Sequence, residues 1–100
     1  MPETDLQPSN NVAQSRWEVV VDGHIAFAEY FHRGNVVTFP HTLVPPELEG
    51  RGITSTLART ALDDARARGY TVVPRCPFFH SYIERHPEYR DLVDPSVAAD

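Results

Sequence analysis

The segment from residue 41 to residue 77 constrains the fold of this 100-residue chain most strongly. An apolar strand stops at Pro45-Pro46, a glycine-rich turn follows, and a helix is predicted from about Gly52 to Arg68. Its apolar residues form a single stripe that starts at Ile53, which is typical of a helix buried on one side. The next glycine ends the helix, and Tyr70–Pro74 is a short apolar strand. A strand–helix–strand unit of this length favours a parallel strand pair with a right-handed crossover.

Before this unit, the chain predicts three strands that form an antiparallel meander. The first is the β-rich run Trp17–Val21, and Asp22-Gly23 is a strong hairpin turn signal. The second and third strands are His24–His32 and Val36–Val44. Pro40 lies inside the third strand, where it cannot donate a ladder hydrogen bond. We therefore expect an edge or a β-bulge at this position.

A second helix completes the predicted domain. Pro77 suits its first turn, His86-Pro87 terminates it, and Pro87–Leu92 adds one further turn. The fold class is thus α/β (α+β), with an antiparallel three-strand meander that continues through a βαβ unit into a parallel strand, plus a C-terminal helix. Residues 16–93 form the domain. Residues 1–15 are predicted to be a disordered N-terminal tail, and residues 94–100 a C-terminal tail.

Composition limits the classes of function. With 41% apolar and 23% charged residues, the chain predicts one small globular domain. It contains neither an apolar run of about 20 residues nor a signal-peptide pattern, so no membrane partner is expected. A single cysteine favours a reducing, cytoplasmic location. The net charge of -5 argues against nucleic acid as the main partner.

The glycine turn is a candidate anion site. In Glu49-Gly50-Arg51-Gly52-Ile53-Thr54, successive backbone N–H groups converge at a helix N-terminus, where the helix dipole favours negative charge. Arg51 adds a positive charge. The alternative is a turn that merely connects a strand to a helix. The segment is neither a P-loop nor a dinucleotide fingerprint, because the required Gly-Lys-Ser/Thr and third glycine are missing.

Five motifs in order carry a resemblance to a known family. They are His41-Thr42-Leu43-Val44, Leu48 to Ile53, Ala61 to Arg66, Val72 to Pro77, and Tyr82 to Tyr89. Together they resemble the small single-domain members of the GNAT (Gcn5-related N-acetyltransferase) superfamily, of the N-acetyltransferase domain-containing protein 1 or YjdJ type. The family's pyrophosphate motif is Gln/Arg-x-x-Gly-x-Gly/Ala. The chain matches both glycines but has Glu47 at the first position.

The resemblance implies that the chain binds acetyl-coenzyme A. If Pro40 bulges the third strand, that strand and Tyr70–Pro74 diverge, and their facing backbone groups lack ladder partners. The pantetheine arm, itself an amide chain, can fill this gap, while the glycine turn takes the pyrophosphate. The residues assigned to cofactor binding are Val44, Glu49, Gly50, Arg51, Gly52, Ile53, Thr54 and Phe79.

Cys76 and His41 are the candidate catalytic residues. Cys76 lies near the N-cap of the second helix, a position that stabilises a thiolate, and it follows a strand end where ligands bind in parallel units. It is a nucleophile, a proton shuttle or part of the pocket lining, and the alternative is a buried structural cysteine. His41 follows the expected bulge and is either a general base for an amine or a hydrogen-bonded strand histidine.

The remaining candidates near the second helix are assigned structural positions. Tyr82 is near the place where many GNAT enzymes have a general-acid tyrosine, but a core role is favoured. His80 is expected to face solvent, and Phe78, Phe79 and Ile83 are expected to lie in the core, with Phe79 also against the pantetheine arm. A zinc site built from Cys76, His80 and His86 fails on ligand count and helical spacing, so no metal is predicted.

The leading hypothesis is an acetyl-CoA-dependent N-acetyltransferase, an acyltransferase that acts on an unidentified small amine or protein amine. The alternative is a non-catalytic acyl-CoA-binding module that acts as a sensor or interaction domain, and a third reading is a structural domain with an empty groove. Larger GNAT enzymes build an acceptor wall from helices between their first two strands. Here Asp22-Gly23 joins those strands directly. A monomer or weak homodimer is expected.

Overall fold

A computed structural model describes residues 7–98, which form one mixed sheet and the helices packed against it. The strands are β1 Ser9–Asn11, β2 Arg16–Val21, β3 His24–Arg33, β4 Val36–Leu43 and β5 Thr71–Val73. The α-helices are α1 Ile53–Arg68, α2 Pro77–Arg85 and α3 Pro95–Ala98. Short 3-10 helices span Val12–Gln14, Pro46–Leu48 and Pro87–Leu92. Within this described part, no helix is both long and apolar enough to cross a membrane.

The sheet confirms the predicted fold class. Its spatial order is β1-β2-β3-β4-β5, with antiparallel pairing from β1 to β4 and a parallel pair between β4 and β5. Asp22 and Gly23 both have positive φ angles, 53° and 82°, which is the geometry of the tight hairpin turn between β2 and β3. The crossover from β4 to β5 contains α1, as the strand–helix–strand pattern predicted.

The prediction of a disordered tail is wrong for residues 9–14. β1 pairs with β2, and polar side chains support this pairing. The Tyr30 hydroxyl donates to Asn10 Oδ1 over 2.7 Å, and Asn11 Nδ2 donates to Glu18 over 2.9 Å. Polar side chains, rather than an apolar face, hold this segment to the sheet. The sequence therefore shows no apolar alternation here, which is the pattern that predicts a strand. Residues 1–6 lie outside the described part of the chain.

The predicted C-terminal tail also needs correction. Residues 95–98 form α3, and the segment before them is bonded to β5. Asp94 N–H donates to Val72 O, and Thr71 Oγ1 donates to the Asp94 carboxylate, each over 2.8 Å. Residues 99–100 lie outside the described part.

The core lies between one face of the sheet and the two longer helices. The stripe predicted on α1 is buried: Ile53, Leu57, Ala58, Ala61, Leu62 and Ala65. Gly69 adopts a left-handed conformation, and the chain turns there into β5 through a bond from Tyr70 N–H to Ala65 O. From α2, Phe79 stacks on Phe39 with ring centroids 4.3 Å apart.

The other face of the sheet is open. Val20, Ile25, Phe31 and Leu43 point to this side, and their exposed fractions range from 40% to 61%. Their neighbours in sequence alternate with them and are turned towards the helices, as Val19, Ala26 and Thr42 show. The two faces therefore offer different environments to anything that approaches the β4–β5 edge.

Candidate functional site

A β-bulge lies at Pro40, as predicted. Glu29 is paired with His41, but Phe31 is paired with Thr38, so two residues of β4 oppose Tyr30 alone. The extra residue shifts the register by one. Because Pro40 has no N–H group, it can occupy this irregular position without loss of a ladder bond.

The bulge coincides with the end of the β4–β5 pairing. The parallel ladder contains the pairs 36–71, 37–72 and 38–73, and it stops there. Beyond it, Cys76 N–H donates to Phe39 O over 2.8 Å. Val44 N–H, further along the same edge, donates no hydrogen bond to any described residue. The two chain segments therefore separate into a wedge whose edge can pair with a bound amide chain.

The glycine turn lies at one side of this wedge. Gly50 and Gly52 have φ angles of 82° and 75°, a left-handed conformation that other residues rarely adopt. Gly52 is the N-cap of α1 and supplies no capping side chain. Among the described residues, no acceptor is found for the N–H groups of Ile53, Thr54 and Ser55. These are the donors that a helix N-terminus offers to an anion.

A groove of about 270 Å³ connects the turn to α2. It is lined by Val44, Leu48, Glu49, Gly50, Gly52, Ile53, Thr54, Ser55 and Phe78. Six of the eight residues assigned to cofactor binding are thus brought together. Arg51 is exposed beside the groove and does not line it, and Phe79 is the remaining exception.

Phe79 lies in the core, as expected, but it does not line the groove, and Phe78 lines the groove in its place. Phe79 is fully buried against Phe39 and does not reach the groove, whereas Phe78 is 47% exposed and forms part of the groove wall. Successive helix residues are about 100° apart, so α2 can present one phenylalanine to the core and the next to the groove. The core assignment is confirmed for Phe79 and Ile83 and wrong for Phe78.

Cys76 lies at the wedge, on the face that carries the helices. It is the N-cap of α2 and is 2% exposed, and its Sγ donates to Thr42 Oγ1 over 3.2 Å. Thr42 is itself buried. Thr42 is not among the site residues predicted from the sequence, although alternation along β4 places it on the side opposite His41. A buried thiol and a hydroxyl therefore meet where β4 and β5 part.

His41 is on the opposite face of the sheet. Its side chain is exposed, and its ring centroid is 6.3 Å from that of Phe27 in an edge arrangement. The structure does not bring His41 and Cys76 together, because adjacent strand residues point to opposite faces. Each residue borders the wedge from its own side.

The other titratable groups of α2 are outside the wedge. Tyr82 is buried and stacks on His86 with centroids 4.0 Å apart, and burial raises the pKa of its hydroxyl. This agrees with a core role. His80 is exposed, with Nε2 at 3.7 Å from the Glu84 carboxylate. Across residues 7–98, the structure contains no group of three His, Cys, Asp or Glu side chains that could hold a metal ion.

Comparison with known proteins agrees with this geometry. The family model described as GCN5-related N-acetyl-transferase matches residues 16–92. The chain therefore belongs to this acetyltransferase family. It is similar in fold to the NMR solution structure of a GCN5-like protein from Staphylococcus aureus, with a TM-score of 0.70 and 22% sequence identity. That match covers 91% of this chain and 90% of the other. A search of curated proteins gave no match.

Proposed function

We propose that this protein binds acetyl-CoA and transfers its acetyl group to an amine. The observation that carries the proposal is the wedge between β4 and β5, which opens at the Pro40 bulge and continues along β4 to Val44, a residue that lines the same groove as the glycine turn. Membership of the acetyltransferase family supports the reaction class. Acetyl-CoA supplies the acetyl group as an activated thioester. The chain's own residues bind it and handle the protons.

The donors at the turn fit a diphosphate. The N–H groups of residues 53–55 have no acceptor within the described chain, and left-handed glycines at positions 50 and 52 leave the backbone accessible. Glu49 lines the groove and opposes an anion, so the backbone donors and the α1 dipole must outweigh it. Arg51 is exposed and lies between two groove residues in sequence, and we assign it a compensating positive charge.

The wedge fits the pantetheine arm. Val44 N–H has no acceptor among the described residues, and an amide carbonyl of the arm is a suitable one. Phe78 supplies an apolar wall along the same groove. In this arrangement the thioester end lies towards the apex of the wedge, where Cys76 and Thr42 are paired.

The two faces of the sheet suit two separate proton transfers. Acetyl transfer to an amine requires that nitrogen lose a proton and that the departing sulfur gain one. On the helix side, the Cys76 thiol donates to the Thr42 hydroxyl, so Thr42 can pass its own proton to the departing CoA sulfur while it takes the proton of Cys76. The Cys76 thiolate then regains a proton from solvent after CoA has left, and solvent takes the amine proton from His41. On the open side, exposed His41 is available as a base for an incoming amine. We assign the relay to Cys76 and Thr42 and the base to His41.

Calorimetric titration with acetyl-CoA tests the binding step. We expect binding, and absence of heat at protein concentrations near 100 μM would refute the proposal. The transfer step is tested by release of CoA in the presence of a panel of amines. His41→Ala and Thr42→Val should each slow transfer by about 10² or more, with little effect on acetyl-CoA affinity. Unchanged turnover in both variants would refute the assigned roles.

The same experiments separate catalysis from binding alone. A sensor or interaction module would bind acetyl-CoA but release no CoA with any amine in the panel. Mass spectrometry after incubation with acetyl-CoA adds an independent test at Cys76. An acetyl adduct on this residue would replace the proton-relay role with a nucleophilic one, while an unmodified chain that still turns over supports the relay.

A further inference from the structure

A row of three polar side chains crosses the open face of the sheet beside the bulge. Glu29 of β3 is paired with Arg16 of β2 on one side and with His41 of β4 on the other. Glu29 points away from the helices, because strand residues alternate and its neighbour Ala28 is fully buried on the helix side. The pair of Glu29 and His41 adjoins the register shift at Pro40, so the row ends where the wedge opens.

The positive charge of Arg16 is engaged away from Glu29. Arg16 Nε donates to the Glu18 carboxylate over 2.6 Å, and this hydrogen bond lowers the pKa of Glu18, which therefore stays ionised and balances the guanidinium. The guanidinium also lies over the Phe27 ring, 4.4 Å from its centroid. Phe27 precedes Glu29 by two positions, which is about 7 Å along the strand. Arg16 is thus directed towards the next pair of the sheet.

The Glu29 carboxylate is left without a partner within residues 7–98. It is half-buried, yet it makes neither a hydrogen bond nor an ion pair with any of these residues. Its neighbours along the same face of β3 are the rings of Phe27 and Phe31, which offer it no donor. A charge beside apolar surface is screened less than one in open water, so it attracts an opposite charge more strongly. An unpaired negative charge therefore lies next to His41.

We propose that Glu29 binds the ammonium group of the acceptor, and that the acceptor is a primary amine on an apolar body. The inference rests on the proposed acetyl transfer and assigns its acceptor to a class. Directly opposed strand residues have Cβ atoms about 4.5–5.5 Å apart, so one ammonium group can donate to both the Glu29 carboxylate and the His41 ring. Phe27 and Leu43, the next outward-facing pair, receive the apolar body.

An acceptor bound as an ammonium ion gives up two protons. His41 takes the first and releases it to solvent, which leaves a neutral amine with a free lone pair. When the C–N bond has formed and the C–S bond has broken, the second proton leaves by the same route, and the CoA sulfur receives its proton through Thr42. Solvent returns one proton to Cys76, so the reaction releases one proton overall. Glu29 transfers none: it holds the nitrogen and stabilises the imidazolium while His41 is charged.

NMR titration of the protein saturated with CoA tests the site without catalysis, because CoA carries no acetyl group to transfer. Three probes share one pentyl chain and differ in charge: n-pentylamine, 1-pentanol and hexanoate. At pH 7 we expect n-pentylamine to shift the amide resonances around Glu29 and His41 in a saturable way. The alcohol and the carboxylate should bind more weakly by about fivefold or more. Equal affinity for all three, or no saturable shift at these residues, would overturn the proposal.

Variants of Glu29 assign the charge preference to this residue. Glu29→Gln should raise the KM for n-pentylamine by about fivefold to tenfold and change kcat by less than about threefold, since a charge-assisted bond to the acceptor becomes a neutral one. Glu29→Asp keeps the charge and should stay within about threefold of the unmodified protein. Glu88→Gln is the matched control, because it removes an equal charge from an exposed residue of the 3-10 helix that packs on α1 and α2. Equal rises in KM for Glu29→Gln and Glu88→Gln would show a non-specific charge effect and refute the site.

The binding and kinetic measurements separate this inference from the proposed function. Saturable amine binding that Glu29→Gln weakens, with no CoA released from acetyl-CoA by any amine, would support the ammonium site and refute the acetyl transfer. Turnover with an unchanged KM for n-pentylamine in Glu29→Gln would refute the ammonium site and leave the acetyl transfer in place. Circular dichroism and thermal unfolding establish that each variant is folded before it is assayed.

Discussion

The glycine at the start of α1 offers a test in which fold and function can be separated. Gly52 and Gly69 are the two caps of α1, with φ angles of 75° and 76°. An added Cβ would have no heavy atom within 4 Å at either position. Substitution by alanine therefore introduces backbone strain of the same kind at both ends of the helix, without a steric clash.

The expected cost in stability is similar for the two substitutions. A non-glycine residue in the left-handed region costs about 1–2 kcal/mol. For a chain of this size, 1 kcal/mol lowers the melting temperature by about 4–8 °C. Gly52→Ala and Gly69→Ala should thus each lower the free energy of unfolding by about 1–2 kcal/mol, with a difference between them of less than about 0.5 kcal/mol.

Their effects on acetyl-CoA binding should differ. At Gly52 the backbone strain acts on the first turn of α1, whose N–H groups have no described acceptor, and it would re-aim those donors. Loss of one charge-assisted hydrogen bond corresponds to an affinity about tenfold lower. Gly69→Ala should bind within about twofold of the unmodified protein. Titration calorimetry at a temperature where both variants are folded measures this. Equal affinities for the two variants would refute the role of the turn.

Three further predictions concern the same elements. Phe79→Ala should lower the free energy of unfolding, measured in urea, by about 3–5 kcal/mol, because this ring is buried. Phe78→Ala should lower it by less than about 1 kcal/mol and should instead weaken acetyl-CoA binding. The reverse order of the two stabilities would show that the packing of α2 is misassigned. Arg51→Gln should weaken acetyl-CoA about threefold at low salt and less at high salt, and a salt-independent effect would exclude a charge interaction. Burial and the Asp63 carboxylate raise the pKa of Tyr89 to about 12. Its contribution to stability is therefore full below pH 10 and is lost as the pH rises through 12, a slope that Tyr89→Phe should reduce in urea unfolding.

Elements with local signals could be predicted from the sequence. α1 was predicted because its apolar stripe, its N-terminal glycine turn and Gly69 all point to the same helix. The bulge followed from Pro40 alone, since a proline within a paired strand removes a donor. In these two cases a few neighbouring residues determine the local backbone structure, and contacts with distant residues do not change it.

Features that depend on distant partners could not be predicted in this way. β1 contains polar residues, and its pairing is supported by Tyr30 and Glu18 from other strands. The contact between Cys76 and Thr42 joins residues 34 positions apart, and it depends on how far α2 is rotated. The same rotation decided that Phe79, and not Phe78, enters the core. Single-sequence patterns carry little information about the rotation of a nine-residue helix.

The uncovered face of the sheet offers a path by which an acceptor amine could approach the wedge. A two-residue turn joins β2 and β3, so among residues 7–98 no helix covers the side on which His41 and Phe27 lie. In the proposed reaction, an acceptor amine would therefore reach the wedge from the open face while acetyl-CoA binds at the turn, and neither would have to displace the other. Exposed apolar side chains such as Phe31 and Leu43 border that approach. This geometry favours an acceptor whose amine is attached to an apolar group. In a series of amines with increasing alkyl length, we expect kcat/KM to rise by about threefold for each CH₂ that is buried. A flat series would place the acceptor away from this face.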